Sequence, residues 1–299
     1  MKNHKAKILS LCIASALLYG CGSDSDDSGS NTSAMEVQAY DGPVRNMIPS
    51  AICDDGTTVT GDATDDNGLT DLTGYDPENC TLTFTGNNDA VDMENGRDMS
   101  GVKYSAPKGL FSRDGSATLS PLTTLIDKEL DGAAYDESTA SDILLSLGLD
   151  EIANNGISIK ELLSETESSV AKLKKNSPTL FSKLAATKMI LSDAVSALPD
   201  ADPTKIAAVT KKLSEILVKN MPNFPLDDSG KEKVVNLKEK LKNSDFVEKV
   251  QSDQISEDDV KQALEENTAA ATKPEPTDPD TPATGGGGTG GTGSTGTGA

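Results

Sequence analysis

Oxygen-bearing side chains are concentrated at residues 62–71, where the sequence reads DATDDNGLTD. Protein calcium sites use carboxylate and carbonyl oxygens, often in a loop whose sharp turn requires a glycine. Gly68 suits that turn, and the loop offers four oxygen donors: Asp62, Asp65, Asn67 and Asp71. The full calcium-loop pattern is broken, because its first ligand position falls on Ala63 and its bidentate position on Gly74. The sequence therefore favours a simple β-turn at this position. We expect no cofactor, and a bound Ca²⁺ ion is the weaker alternative.

Nucleophilic catalysis has little support in the residue types. Ser169 and Lys172 match the Ser-x-x-Lys pattern of serine acylases, but the companion Lys-Thr-Gly is missing. The single histidine, His4, lies in a segment that we expect to be removed, which excludes Ser-His-Asp systems and histidine zinc sites. Paired carboxylates are abundant, so a carboxylate-only hydrolase stays as a minor alternative. We therefore predict that the protein is not an enzyme.

The N-terminus has the three parts of an export signal. Lys2, Lys5 and Lys7 are followed by an apolar run at residues 8–18, too short to cross a bilayer comfortably, and then by Cys21. Residues 18–21 (LYGC) resemble the lipobox of bacterial lipoproteins. That resemblance implies cleavage after residue 20 and a lipid on Cys21, which would attach the protein to a membrane. The residue after the cysteine is Gly22 rather than aspartate, which in that family implies the outer membrane. We expect display at the cell surface, with an orientation towards the periplasm as the alternative.

The charge of the processed chain would be strongly negative. The full sequence has 27 basic and 48 acidic residues, and loss of the three N-terminal lysines leaves 24 basic residues and a net charge of −24. Such a chain repels nucleic acid and anionic membrane surfaces. We therefore expect a protein partner or self-assembly, and no nucleic acid.

Two cysteines, Cys53 and Cys80, would remain in the exported part besides Cys21. A pair of cysteines in an exported chain predicts one disulfide. Closing this loop would stabilise the fold by about 3 kcal/mol.

The sequence predicts segregated α+β architecture, with a small N-terminal β-sandwich followed by an α-helical bundle and disordered ends. Residues 21–33 are expected to be a flexible tether, and residues 268–299, rich first in Pro and Thr and then in Gly and Thr, a disordered tail. Residues 34–106 form the expected β-domain, with strands predicted at 36–40, 48–53, 57–60, 81–85 and 102–104 between glycine-containing turns.

Residues 107–267 form the expected helical domain. Ser120 and Pro121 are typical of a helix start. Apolar periodicity and helix start and stop signals predict further helices at 138–147, 158–164, 167–198 with a break at Pro178, 229–241 and 256–266. Another helix is predicted to start at Asp202-Pro203 and to be ended by Pro222 and Pro225.

Short motifs in the β-region resemble a known family. Residues 37–44 (VQAYDGPV), 51–56 (AICDDG) and 63–68 (ATDDNG) are similar to motifs of the transthyretin-like, carboxypeptidase-regulatory-like β-domains of secreted bacterial proteins. Residues 119–125 (LSPLTTL) resemble the junction between such a β-domain and a helical domain in surface lipoproteins. The resemblance covers residues 36–126 and implies a stalk, adhesion or accessory module. The expected function is therefore a non-catalytic structural, adhesive or interaction module, with a calcium- or solute-binding lipoprotein as the alternative.

Overall fold

Two small β-sheets form the N-terminal part of the protein. The computed structural model describes residues 34–113 and 115–277. One sheet has the strand order β4-β1-β7 and the other the order β3-β2-β5-β6. The strands are β1 (Met35–Ala39), β2 (Val44–Cys53), β3 (Thr58–Thr60), β4 (Leu69–Leu72), β5 (Cys80–Asp92), β6 (Lys103–Ala106) and β7 (Ala117–Leu119).

The longest ladder joins β2 and β5, which run antiparallel. On β5, every second residue from Cys80 to Phe84 is buried and the residues between them are partly exposed, as expected of strands with one face on the core. Cys53 faces Cys80 at the end of this ladder, and the two form a disulfide, as predicted.

Strand β1 lies in the middle of the other sheet. Val37 on this strand pairs with Thr70 on antiparallel β4 and with Ala117 on parallel β7. Neither β4 nor β7 is predicted from the sequence. Strand β7 follows residue 106, so the sheet extends past the boundary that the sequence predicts between strands and helices.

Helices dominate the rest of the chain, which confirms the segregated α+β class. Their bounds are α1 (Pro121–Leu130), α2 (Glu137–Ser146), α3 (Ile159–Ser164), α4 (Thr166–Asn176), α5 (Pro178–Ala197), α6 (Pro203–Asn220), α7 (Lys238–Leu241), α8 (Ser244–Gln251) and α9 (Glu257–Glu266), with a 3-10 helix at Asp150–Asn155. Side-chain oxygens cap several of them, because the first backbone N–H groups of a helix have no partner within it. The capping residues include Ser120, Ser158, Asp202 and Ser256.

Helix α5 is the central helix. It contacts α1, α4, α6 and α7, and most of its side chains are buried. Pro178 separates it from α4, as predicted. The hydroxyl of the preceding residue, Ser177, donates to Asn155 Oδ1. One hydrophobic core runs from the strands into the helices without interruption.

The predicted helix at residues 229–241 is wrong. Residues Lys233–Val235 form a strand, β8, and only Lys238–Leu241 are helical. Strand β8 pairs with β9 (Thr268–Ala270). The β-branched side chains of Val234 and Val235 favour this extended, paired conformation. Helix α8 was not predicted.

The tail prediction is also wrong for its first ten residues. Residues 268–277 are held against the body by β9 and by the hydrogen bonds given below, and they are called the C-terminal strap here. Residues 278–299 lie outside the described part of the chain.

Candidate functional site

The residues that shape the site begin at the end of β5. Asp92 accepts hydrogen bonds from the Glu94 backbone N–H and from Asn95 Nδ2, both at 2.8 Å. The Asn95 side chain then accepts the Arg97 backbone N–H at 3.0 Å. The backbone at Gly42 packs closely against the Asp92 side chain, since a Cβ at Gly42 would lie 2.6 Å from Asp92 Oδ1. These contacts fix a tight turn that directs Arg97 into the interior.

Arg97 forms two buried ion pairs. Its Nη1 lies 3.1 Å from Asp41 Oδ2, in the turn between β1 and β2, and its Nη2 contacts Asp193 Oδ1 in α5. Each of the three side chains is about 3% exposed or less. The other oxygen of Asp193 accepts the Leu237 backbone N–H at 2.6 Å, just before α7. One guanidinium therefore joins the strands, the central helix and the segment that follows β8.

Burial and neighbouring charges shift the pKa values in this cluster. Burial raises the pKa of Asp41, although Lys188 and Arg97 oppose that effect. Burial, and next the nearby Asp41, raise the pKa of Asp92 to about 7. For Arg97, burial lowers the pKa, but attraction to Asp193 and Asp41 outweighs it and the guanidinium stays charged.

Tyr104 on β6 completes the cluster. Its hydroxyl lies 2.9 Å from Ser192 Oγ in α5 and 3.4 Å from Asp41 Oδ2. Burial raises the pKa of this tyrosine well above its usual value, so it remains a neutral phenol. The cluster formed by Asp41, Asp92, Arg97, Tyr104, Ser192 and Asp193 is called the buried polar cluster below.

A small pocket adjoins the cluster where the strands meet the helices. The volume open to the centres of water molecules is about 40 Å³, and one water needs roughly 10–15 Å³ by that measure. A sugar or nucleotide does not fit such a space. Its wall is formed by Tyr40, Asp41, Glu94, Asn95, Val170, Phe181, Leu184, Ala185, Lys188, Met189, Pro225 and Glu232.

Lys188 is the cation of this pocket and is 5% exposed. Its Nζ donates to the Asp41 carbonyl oxygen at 3.3 Å and lies 4.6 Å from the centre of the Tyr40 ring. Among the described residues, Asp41 Oδ1 is buried and has no hydrogen-bond partner. Burial, and next the negative charge of Glu94, raise the pKa of Glu232.

The C-terminal strap joins two residues of the pocket wall. Ala271 N–H donates to the Glu232 carbonyl oxygen and Thr272 N–H to the Asn95 carbonyl oxygen, both at 2.9 Å. The fit is close, because a Cβ on Gly96 would lie 1.9 Å from the Thr272 carbonyl oxygen.

The end of the strap reaches the predicted calcium loop. Thr277 donates its backbone N–H to Asp66 Oδ2 at 2.7 Å, and Arg45 lies 2.9 Å from Asp66 Oδ1. Partial burial acts to raise the pKa of Asp66, but the hydrogen bonds from Arg45 and Thr277 lower it overall.

The four predicted calcium donors do not converge in the described structure. Asp65 Oδ1 accepts the backbone N–H groups of Asn67 and Leu69, which is a turn stabilised by its own aspartate. Asp62 and Asp71 are exposed, and Asp71 lies on β4 opposite Glu36. Within residues 34–113 and 115–277, no group of three or more His, Cys, Asp or Glu side chains could hold a metal ion.

The remaining sequence candidates are placed as follows. Ser169 Oγ donates to the Glu161 carbonyl oxygen, and Lys172 forms an ion pair with the Glu161 carboxylate, so this pair is engaged with α3. Cys21 lies outside the described residues. In the part of the chain that the structure describes, no helix has the length and apolar character needed to cross a membrane.

Sequence reasoning missed Arg97, Tyr104 and Asp193. The one local sign of the cluster is the Asp92–Asn95–Gly96 turn that precedes Arg97. No protein family, curated protein or solved structure matches this chain. The function is therefore inferred from the site and the sequence.

Proposed function

We propose that this protein is a lipid-anchored cell-envelope protein whose folded body is a rigid, non-catalytic interaction module. The buried polar cluster carries the proposal. Among the described residues, Arg97, Asp41 and Asp193 are paired with one another across the strands and α5 and are buried rather than exposed to solvent. Catalytic groups must reach the reacting atoms, whereas Arg97 and its partners fix the strands against the helices.

The disulfide supports an exported protein. Cys53 and Cys80 join β2 and β5, and disulfides persist in oxidising compartments and are rare in the cytosol. The export signal and the lipobox resemblance at residues 18–21 then provide the anchor at Cys21. We place the protein in the outer membrane, displayed at the cell surface.

The partner is another protein or a second copy of this chain. The net charge of the processed chain, −24 by the count given above, opposes contact with nucleic acid or with an anionic membrane surface. The likeness of residues 36–126 to β-domains of secreted proteins also supports a stalk, adhesion or accessory role.

Lipid labelling in cells tests the anchor. We would express the full chain, a Cys21→Ser variant and a matched Cys12→Ser variant with a clickable palmitate analogue. We expect label and membrane fractionation for the wild type and Cys12→Ser, and neither for Cys21→Ser. Labelled Cys21→Ser, or unlabelled wild type, would contradict the proposal.

Crosslinking on living cells tests the interaction role. A lysine-reactive crosslinker followed by mass spectrometry should capture either one reproducible protein or a second copy of the chain. Protease added to intact cells should remove the protein if it is displayed outside. Turnover in a broad glycoside panel that is lost in carboxylate variants would instead support the hydrolase alternative.

A further inference from the structure

Three asparagines in the chain are followed directly by glycine: Asn67, Asn95 and Asn155. An asparagine in this position can lose its side-chain amide, because the backbone nitrogen of the next residue attacks the side-chain carbonyl carbon. Glycine favours the attack, since it has no Cβ to hinder the approach and its backbone adopts many conformations. The sequence alone does not rank the three pairs, whereas the structure places them in different surroundings.

The pair formed by Asn95 and Gly96 is held tightly. The Asn95 amide nitrogen donates to Asp92 Oδ2 at 2.8 Å, and the amide oxygen accepts the Arg97 backbone N–H at 3.0 Å. A Cβ on Gly96 would lie 1.9 Å from the Thr272 carbonyl oxygen. The glycine nitrogen therefore has no room to turn towards the amide carbon.

The pair formed by Asn67 and Gly68 has an exposed asparagine but a buried glycine. The Gly68 N–H donates to the Asp65 carbonyl oxygen at 3.0 Å. A Cβ on Gly68 would lie 2.5 Å from the Ala39 carbonyl oxygen, so this turn packs directly against β1. Attack by the Gly68 nitrogen would have to break both the turn and this packing.

The pair formed by Asn155 and Gly156 is open. Both residues are exposed where the short 3-10 helix ends, and no described atom lies within 4 Å of a Cβ placed on Gly156. The Gly156 N–H reaches the Ala153 carbonyl oxygen at 3.3 Å, which is longer than the usual range of about 2.7–3.2 Å. Short 3-10 helices have poor hydrogen-bond geometry, so this exposed end opens at little cost.

The Asn155 side chain also has a hydrogen-bond donor on the oxygen that the reaction charges. Ser177, the residue before α5, donates its hydroxyl to Asn155 Oδ1. Negative charge develops on this oxygen when a nitrogen attacks the amide carbon, and a donor aimed at such an oxygen lowers the barrier. The leaving nitrogen, Asn155 Nδ2, donates to the Glu151 carbonyl oxygen at 3.0 Å, so the amide is oriented from both ends.

We infer that Asn155 is a site of spontaneous modification, at which the side-chain amide is converted to a carboxylate with the loss of ammonia. The Gly156 nitrogen forms a bond to Asn155 Cγ, the bond from Cγ to Nδ2 breaks, and the proton of the glycine nitrogen leaves with the ammonia. Water then opens the cyclic imide at either carbonyl, which gives aspartate or isoaspartate. Both products add a negative charge. Isoaspartate also adds a methylene to the backbone just before the buried Ile157, which alters the connection to α3.

Peptide mapping of the whole protein by mass spectrometry tests the inference. We would incubate the chain in mildly alkaline buffer, folded and in urea, and follow the change from amide to acid in each of the three peptides. The rate of each pair in urea is its reference, so the compared quantity is the ratio of the folded to the unfolded rate. We expect this ratio to be largest for Asn155, smaller for Asn67 and smallest for Asn95. A larger ratio at Asn67 or Asn95 than at Asn155 would overturn the inference, as would the absence of reaction at Asn155 in the folded protein.

Two serine variants test the role of the hydroxyl. We expect Ser177→Ala to slow the reaction at Asn155 about fivefold in the folded protein, the contribution of one hydrogen bond between neutral groups, and to leave the rate in urea unchanged. Ser168→Ala is the matched control, because this exposed serine on α4 donates to the Glu165 carbonyl oxygen instead. Thermal unfolding would verify that both variants are folded. An equal or faster reaction in folded Ser177→Ala than in the wild type would overturn the role given to Ser177.

Discussion

Arg97 and Asp193 are 96 residues apart in the chain and form an ion pair in which each side chain is 3% exposed. The pair connects the turn after β5 to the middle of the central helix. Removing two charges from water is costly, and an ion pair offsets that cost only if its geometry and its further hydrogen bonds are good. Asp193 meets this condition through the Leu237 N–H, and Arg97 through Asp41.

Loss of the Arg97 charge should destabilise the whole body. We expect Arg97→Met to lower the free energy of unfolding by about 3–5 kcal/mol, because Asp41 and Asp193 would remain buried without their partner. Urea denaturation measures this change. Arg113→Met is the matched control, since Arg113 pairs with Asp76 while 61% exposed and should cost less than about 1 kcal/mol. Equal losses in the two variants would contradict this role of Arg97.

Asp92 should make the stability depend on pH. Its pKa is about 7 in the folded protein and about 3.9 in an unfolded chain, so the folded state binds this proton more tightly. Its contribution to stability is therefore fully present below pH 3.9 or so and is lost as the pH rises through about 7. Each unit of pKa shift corresponds to about 1.4 kcal/mol.

The Asp92→Asn variant tests this dependence. Urea denaturation at several pH values gives the free energy of unfolding as a function of pH. In the wild type Asp92 should make this free energy fall between about pH 4 and 7, and the variant should lack that contribution. Asp98→Asn is the control, because hydrogen bonds from Ser100 lower the pKa of Asp98 and its contribution is lost only at more acidic pH. Identical slopes for the wild type and Asp92→Asn between pH 4 and 7 would show that Asp92 does not titrate there.

The fit of the C-terminal strap at Gly96 can be tested by adding one methyl group. Gly96 and Gly101 both have positive φ, at 79° and 67°, so alanine adds about 1–2 kcal/mol of backbone strain at either position. Only Gly96→Ala would also force its Cβ against Thr272, since no described atom lies within 4 Å of a Cβ at Gly101. Hydrogen exchange at the Ala271 and Thr272 amides should accelerate in Gly96→Ala and stay unchanged in Gly101→Ala. Equal exchange in the two variants would mean that the strap tolerates the methyl group.

The disulfide should stabilise the strands. We expect the Cys53→Ser, Cys80→Ser double variant to lose about 3 kcal/mol of the free energy of unfolding, because the 27-residue separation leaves a loop whose closure restricts the unfolded chain. Urea denaturation with and without a reductant measures the loss. Reductant should destabilise the wild type and leave the double variant unchanged.

Local signals were sufficient to predict several helix boundaries. Ser120 with Pro121, Ser158, Asp202 and Ser256 each act within one turn of their own helix, so a few neighbouring residues carry the information. The disulfide was predictable because Cys53 and Cys80, the two unlipidated cysteines expected in the exported chain, can form only one pair.

Long-range contacts account for what the sequence did not show. Strands β4, β7 and β8 have three or four residues each and form by pairing with distant partners. Val234 and Val235 fit a helical apolar pattern in the sequence, but in the structure they pair with the distant strand Thr268–Ala270. The site is a similar case, because the partners of Arg97 are 56 and 96 residues away. The acidic residues at 62–71 suggested calcium, whereas the described structure uses Asp65 and Asp66 for a turn and for the strap.

The position of β1 has a mechanical consequence. The strand begins at Met35 and is paired along both of its edges, with β4 through four residue pairs and with β7 through three. Tension applied to the chain ahead of Met35 would act along the strand axis, so the hydrogen bonds of both ladders would carry it together in shear instead of separating one after another. With Cys21 as the attachment point, the first strand of the described residues thus transmits drag on the body through two ladders at once.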